Sequence, residues 1–255
     1  MSTYVNLRGH QIWNLEWANN GDAVVLLHGG MSATEDWDEY ILPAIQDSFH
    51  VFAYDRTGQG RTGDQQGSLH FDFQTEETIA YLEDVVKGPA HLIGWSDGGI
   101  IALMVAIQRP DLVRSIVAIG ANYHYESGGA PIELWEASEE DRQEHAERSP
   151  DAPETLDSKI SRMWAIWTSE PALSKADLAK IACPTLVMAG DDENFSFDHI
   201  TSLYEALPLG QLAIVPGTSH FLMKEKPELT QAIIKSFLSN LAPPETRAPV
   251  RRKTS

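Results

Sequence analysis

Gly94-Trp95-Ser96-Asp97-Gly98 is the stretch on which the reading of this chain turns. The apolar run His91-Leu92-Ile93 leads into it, and an apolar, helix-like segment from Ile100 to Arg109 leads out. A strand, a sharp turn with serine at its apex and a helix are the setting that presents a serine hydroxyl as a nucleophile. The glycines have a mechanical task there. Serine on such a turn sits in strained backbone, and bulky residues two places to either side would clash with it.

Working outward, apolar runs alternate with helix-like stretches. Tyr4 to Leu7 and Gln11 to Trp17, broken at Arg8-Gly9-His10, read as an antiparallel edge hairpin. Ala23 to Leu27 and His50 to Tyr54 are continuous apolar runs, the mark of strands covered on both faces. Between them a helix is predicted from about Thr34 to Asp47, capped by Thr34 or Ser32. Another is predicted over Phe73 to Val86, with Thr75 as N-cap and Glu76-Glu77 in the first turn. Leu112 to Ile119, Thr185 to Ala189 and Leu212 to Val215 continue the strands. Helices from about Asp198 to Leu207 and from Pro227 to Leu241 continue the alternation. Such alternation implies an α/β fold around a mostly parallel sheet with right-handed crossovers.

The alternation lapses between Asn122 and Lys180. That region is acidic and helix-prone, cut by Pro131, Pro150, Pro153 and Pro171, and it carries Trp135, Trp164 and Trp167. It reads as a helical cap insertion, 122–180, in a core formed by residues 1–121 and 181–241. From residue 242 to 255 the chain is Pro-rich, basic and aperiodic, and disorder is expected.

The 255 residues carry a net charge of −18. Because Arg247, Arg251, Arg252 and Lys253 oppose only Glu245 near the C-terminus, the body is more acidic than that total. Such a field repels nucleic acid and anionic membrane. One cysteine, Cys183, allows no internal disulfide and reads as a small core residue. With no signal-peptide pattern and no long apolar run, a cytoplasmic location without membrane contact is expected, with a small molecule as substrate.

A serine hydroxyl needs a base, an acid to orient the base, and donors for the oxyanion. His220, in Pro216-Gly217-Thr218-Ser219-His220 just past the last strand, fits the base. The strand from Thr185 ends in Gly190-Asp191-Asp192-Glu193-Asn194, whereas Gly120-Ala121-Asn122 offers no carboxylate. The acid therefore falls among residues 191 to 193. For the oxyanion, the backbone N–H of Asp97 and one from His28-Gly29-Gly30-Met31 are the candidates, Gly30 first and Met31 next. His28 reads as a residue that holds this loop.

Taken together, His28-Gly29-Gly30, the turn Asp55-Arg56-Thr57-Gly58-Gln59-Gly60-Arg61-Thr62, the serine turn Gly94 to Gly99 and the Pro216 to His220 loop resemble the α/β-hydrolase superfamily, in its order. The resemblance runs from about residue 20 to 240. It implies a sheet of about eight strands with helices on both faces, no cofactor and no metal. It places the acid three residues after Gly190. The family pattern there is Asp and this chain has Glu193, with Asp192 as the alternate acid. It sets aside the dehalogenase and epoxide-hydrolase branches, which use a carboxylate nucleophile where this chain has Ser96. The implied activity is hydrolysis of a small ester, thioester or lactone through an acyl-enzyme. C–C hydrolysis or perhydrolysis by the same residues is an alternative, and a hydrolase-like ligand-binding protein with weak activity is another.

Overall fold

A computed structural model describes residues 1–129 and 133–250. Residues 130–132, which include Pro131 of the expected insertion, and residues 251–255 of the expected tail lie outside the described residues. Eight strands form one sheet: β1 (Ser2–Leu7), β2 (His10–Trp17), β3 (Ala23–Leu27), β4 (His50–Tyr54), β5 (Ala90–Trp95), β6 (Val113–Ile119), β7 (Thr185–Gly190) and β8 (Gly210–Val215). Their order is β1-β2-β4-β3-β5-β6-β7-β8. The β1–β2 hairpin and the β2–β4 pair are antiparallel. Every other pair is parallel, so all the strands but β2 point their carboxyl ends the same way. That shared end is where loops can converge on a site.

The helices are α1 (Trp37–Tyr40), α2 (Leu42–Ile45), α3 (Phe71–Tyr81), α4 (Asp97–Gln108), α5 (Glu139–Arg148), α6 (Leu156–Trp167), α7 (Lys175–Leu178), α8 (Phe197–Ala206), α9 (Leu222–Glu225) and α10 (Pro227–Ser239). Two apolar cores lie on opposite faces. Leu27, Leu92, Ile116 and Val187 meet α3, α4 and α8 on one face. Leu26, Ile93, Val117 and Met188 meet α1, α2 and α10 on the other. These sets alternate along each strand, as the period-two geometry of a covered strand requires. No helix among the described residues is long and apolar enough to cross a membrane.

Helix α4 is buried from Asp97 through Ala106 and runs along the centre of the sheet. Its close approach depends on Gly98, because a Cβ there would overlap the carbonyl oxygen of Leu27 on β3. Without that glycine the helix could not start where Ser96 leaves the strand.

Two predicted helices take different forms. The helix expected from Thr34 to Asp47 is a 3₁₀ turn, Thr34–Asp36, followed by the four-residue helices α1 and α2. The break falls at Ile41, one residue before α2, whose first turn contains Pro43. The expected caps are also replaced. Ala33 occupies the N-cap, and the Thr34 amide is taken at 2.8 Å by the Asp55 carboxylate from across the fold. The helix expected over Phe73 to Val86 starts earlier, at Phe71, and its last turn, Leu82–Val86, widens to a π-helix. Thr75 is buried inside it rather than capping it. Glu77 is not a surface charge either. It turns inward, accepting from the Thr57 amide at 3.1 Å and from the Thr57 hydroxyl. Burial pushes its carboxyl up to about 7.

Between β6 and β7 the chain runs through α5, α6 and α7. Ser138 and Ser174 form capping boxes with Asp141 and Asp177, which set the starts of α5 and α7. Residues 242–250 form neither helix nor strand.

Candidate active site

Ser96 stands between β5 and α4 with φ 53° and ψ −120°, a strained backbone for a residue with a side chain. Three main-chain bonds hold it there. Its N–H donates to Ile119 O at 2.8 Å, and its carbonyl accepts from Gly99 N at 2.9 Å and Ile100 N at 3.1 Å. The hydroxyl faces the carboxyl ends of the strands.

His220 arrives from the β8–α9 loop, and its Nε2 lies 3.0 Å from Ser96 Oγ. Its Nδ1 lies 2.7 Å from Glu193 Oε1. A carboxylate can only accept, so Nδ1 carries the proton and Nε2 is left to accept from the serine. The ring is held by aromatic edges: Phe195 and Phe221 each stand 5.8 Å away in T-shaped contact. The Trp95 indole N–H donates to the His220 carbonyl at 3.0 Å.

Glu193 is thus the carboxylate that meets His220. Its Oε1 also accepts from Asn194 N at 2.8 Å, while Oε2 is buried without a hydrogen-bond partner among the described residues. Asp192, the alternate acid, is exposed. The remaining member of the run, Asp191, has a task the sequence did not reveal. Its Oδ1 accepts from Gly217 N at 2.6 Å and Thr218 N at 3.1 Å, pinning the loop that carries His220. Glu225 secures the same loop by accepting from Ser219 N at 2.7 Å and its hydroxyl at 2.8 Å. Gly120, in the stretch that offers no carboxylate, brings no side chain at all. That lack is its contribution: a Cβ there would stand 3.0 Å from His220 Nδ1 and 3.4 Å from Glu193 Oε2.

The Gly29–Met31 loop lies beside Ser96, and Gly30, Met31 and Asp97 all line the same cavity. Asp97 opens α4, so its amide has no partner within the helix and lies at the positive end of the helix dipole. The loop is braced from below by a buried polar network. The Arg56 guanidinium donates to His28 O, to Gly29 O at 3.0 Å and to Gln74 Oε1 at 2.5 Å. His28 Nε2 accepts from Arg56 N at 3.1 Å, so its Nδ1–H donates to Gly29 O at 2.7 Å. Burial, reinforced by the Arg56 charge, holds this imidazole well below its ordinary range and keeps it neutral. Asp55 ties the network to both flanks, accepting from Thr34 N and Arg61 N at 2.8 Å each.

Above these groups lies a cavity of about 1250 Å³. Trp164 and Trp167 of α6, Tyr125, Phe195 and Phe221 supply aromatic walls, and Ser96 and His220 lie among its lining residues. Three of those walls, Tyr125, Trp164 and Trp167, come from the chain between β6 and β7. Trp167 does more than fill space: its indole N–H donates to both Asp97 carboxylate oxygens, at 2.9 and 3.1 Å.

With this geometry in hand, the chain can be set beside known proteins. A model of the alpha/beta hydrolase family matches residues 24–232. A non-heme chloroperoxidase from Burkholderia pyrrocinia is 23% identical over 266 residues, spanning 89% of this chain and 96% of that protein. The (E)-2-((N-methylformamido)methylene)succinate hydrolase of Acinetobacter baylyi is 24% identical over 243 residues, spanning 86% of this chain and 90% of the relative. Among solved structures, a meta-cleavage product hydrolase from Pseudomonas fluorescens superposes with a TM-score of 0.75 at 19% identity, covering 93% of this chain and 97% of that one. At that identity the superposition speaks for the fold.

Proposed function

The chain belongs to the alpha/beta hydrolase family, and from that premise we propose that it is a serine hydrolase acting on a small ester, thioester or lactone. The observation that carries this reading is the continuous hydrogen-bond chain Glu193–His220–Ser96 at the floor of the cavity. His220 Nε2 takes the hydroxyl proton as Ser96 Oγ attacks the carbonyl carbon. The backbone N–H groups of Gly30 and Asp97 receive the oxyanion, a contribution on the order of 3 kcal/mol per donor. The tetrahedral intermediate then expels the alcohol or thiol, which leaves with the proton held by His220. In the second half, His220 takes a proton from water, the hydroxide attacks the acyl carbon, and Ser96 regains its proton as the acid departs. Glu193 keeps Nδ1 protonated and stabilises the imidazolium in both halves. No cofactor enters these steps. In the same reading, residues 122–180 act as the cap that selects the acyl compound.

Hydrolysis of p-nitrophenyl acetate and butyrate by the parent and by Ser96→Ala tests this. A fall of about 10³-fold or more in the variant supports the assignment; equal rates would sink it. A second reading keeps the same residues for another branch of chemistry. It is favoured by the chloroperoxidase and the methylene-succinate hydrolase among the relatives. Peroxide-dependent halogenation, or cleavage of a vinylogous diketone faster than of any simple ester, would select it.

A further inference from the structure

Asp97 presents an anomaly that the hydrolase reading does not use. Its backbone N–H serves the oxyanion, yet its side chain is a carboxylate in the same place. Only 3% of the residue is exposed, but it lines the cavity beside Ser96. The carboxylate presses on the oxyanion loop: a Cβ on Gly30 would overlap its Oδ2. Burial raises this carboxyl above its ordinary range; in its ionised form it opposes the negative charge that develops on the substrate oxygen.

Nothing nearby removes that charge by direct pairing. Trp167 donates a neutral N–H to it. Arg56 opposes the Asp97 charge through space, but its guanidinium donates to His28 O, Gly29 O and Gln74 Oε1 rather than to Asp97. Among the described residues no ion pair reaches Asp97. The cavity around it repeats the theme. Asp38, Glu39 and Glu126 line it, whereas its lysine and arginine are already drawn to acids. Lys224 is paired with Asp36 at 2.5 Å, and Arg148 lies 3.9 Å from both Glu35 and Glu144. Indoles also line this cavity: Trp167 bonds to Asp97, and Trp164 stands one turn before it on α6. A buried carboxylate lining a cavity of acids and indoles is a setting that recognises an ammonium group.

We propose that Asp97 and the Trp167 indole form a subsite for a positively charged amine, so that the preferred substrate is a small ester or related acyl compound with an ammonium group within a few bonds of the reacting carbonyl. The inference rests on the serine-hydrolase reading and names the substrate class of that site. The short reach follows from the fold, since Ser96, Asp97 and Gly30 are neighbours. The cation does two things at once. It supplies binding, and it neutralises Asp97 beside the oxyanion, so the preference extends to kcat as well as KM.

Ethyl β-alaninate and ethyl butanoate have nearly the same shape and differ in one ammonium group, which makes them the direct probe. The parent is expected to favour the β-alaninate by about tenfold or more in kcat/KM, and Asp97→Asn to bring the ratio down to about one. A parent ratio of one or below, or an unchanged ratio in Asp97→Asn, overturns the subsite. Should Asp97→Asn fail to fold, competition in the parent decides. n-Propylammonium should inhibit ethyl butanoate hydrolysis at a concentration about tenfold lower than 1-propanol at matched ionic strength; equal potency counts against the subsite. Ser96→Ala separates the two levels. If it abolishes turnover while the parent treats the two esters alike, the hydrolase reading stands and the amine subsite falls. If it leaves turnover intact, the hydrolase reading fails, and calorimetric binding of n-propylammonium to that variant still reports on the subsite.

Discussion

Every residue of β5 from Ala90 to Trp95 is buried and α4 stays buried through Ala106, whereas α5, between β6 and β7, buries none of its ten residues. The β5–α4 junction is fixed by backbone: a strand, a glycine that lets two elements touch, and a serine in a strained turn. The segment between β6 and β7 is fixed by side chains. α6 buries Leu156, Ile160, Met163 and Ile166, while Trp164 and Trp167 line the cavity. Backbone constraints leave short, local motifs in a sequence. Side-chain constraints are spread along a helix and become visible only when the opposite wall is known. In the proposed reading chemistry belongs to the first region and choice of substrate to the second, and the two meet at the Trp167–Asp97 hydrogen bond.

Substitutions that separate the two regions should differ in size and in kind. The largest change is expected from Glu193→Gln, which removes the charge that orients His220 while preserving shape. Activity on p-nitrophenyl butyrate should fall by about 10³- to 10⁴-fold. Asp192→Asn, at an exposed position, should leave the rate within about twofold. Comparable losses in both would move the acid to Asp192.

Gly98→Ala comes next and strikes the backbone itself. The new Cβ would meet the Leu27 carbonyl, and a urea titration should register a loss of about 3 kcal/mol or more. An unaltered midpoint would show that the α4 approach tolerates a side chain after all.

Trp167→Phe changes the second region where it meets the first. It keeps the aromatic wall and deletes the N–H that reaches Asp97. The ratio of ethyl β-alaninate to ethyl butanoate turnover should shift by roughly threefold, with stability little altered. A uniform loss on both esters would assign Trp167 to general packing.

The smallest effect is a change of slope. Burial pushes the Glu77 carboxyl up to about 7, from an ordinary 4.5. A carboxyl raised in this way binds its proton more tightly folded than unfolded. Its contribution to stability is therefore full below pH 4.5 and is lost as pH climbs through 7. Glu77→Gln should flatten the stability profile across that window. A profile identical to the parent's would show that Glu77 ionises normally.

The same contrast explains what could be read in advance. The central strands were legible as apolar runs and the mostly parallel sheet from their alternation with helices, while the count of about eight strands came from the family resemblance. Ser96, His220 and the acidic run at 191–193 were legible as short motifs after strands. The division of labour within that run was not. Asp191 turns to the loop amides and Glu193 to the imidazole, a choice set by how β7 and β8 end side by side. The α1–α2 region misled for a similar reason. Its first free amide is capped by Asp55, twenty-one residues away in the chain, so no local capping pattern was needed. Nor could sequence spacing show that Trp167 reaches Asp97, seventy residues distant.

The claim on which the account depends most is that Ser96 is the nucleophile held ready by His220. Incubation with a fluorophosphonate probe, followed by digestion and mass mapping, addresses it directly. The account predicts one phosphonylated residue, Ser96, with labelling absent from Ser96→Ala and strongly slowed in His220→Ala. Labelling that persists in Ser96→Ala, or maps to another residue in the parent, would contradict it.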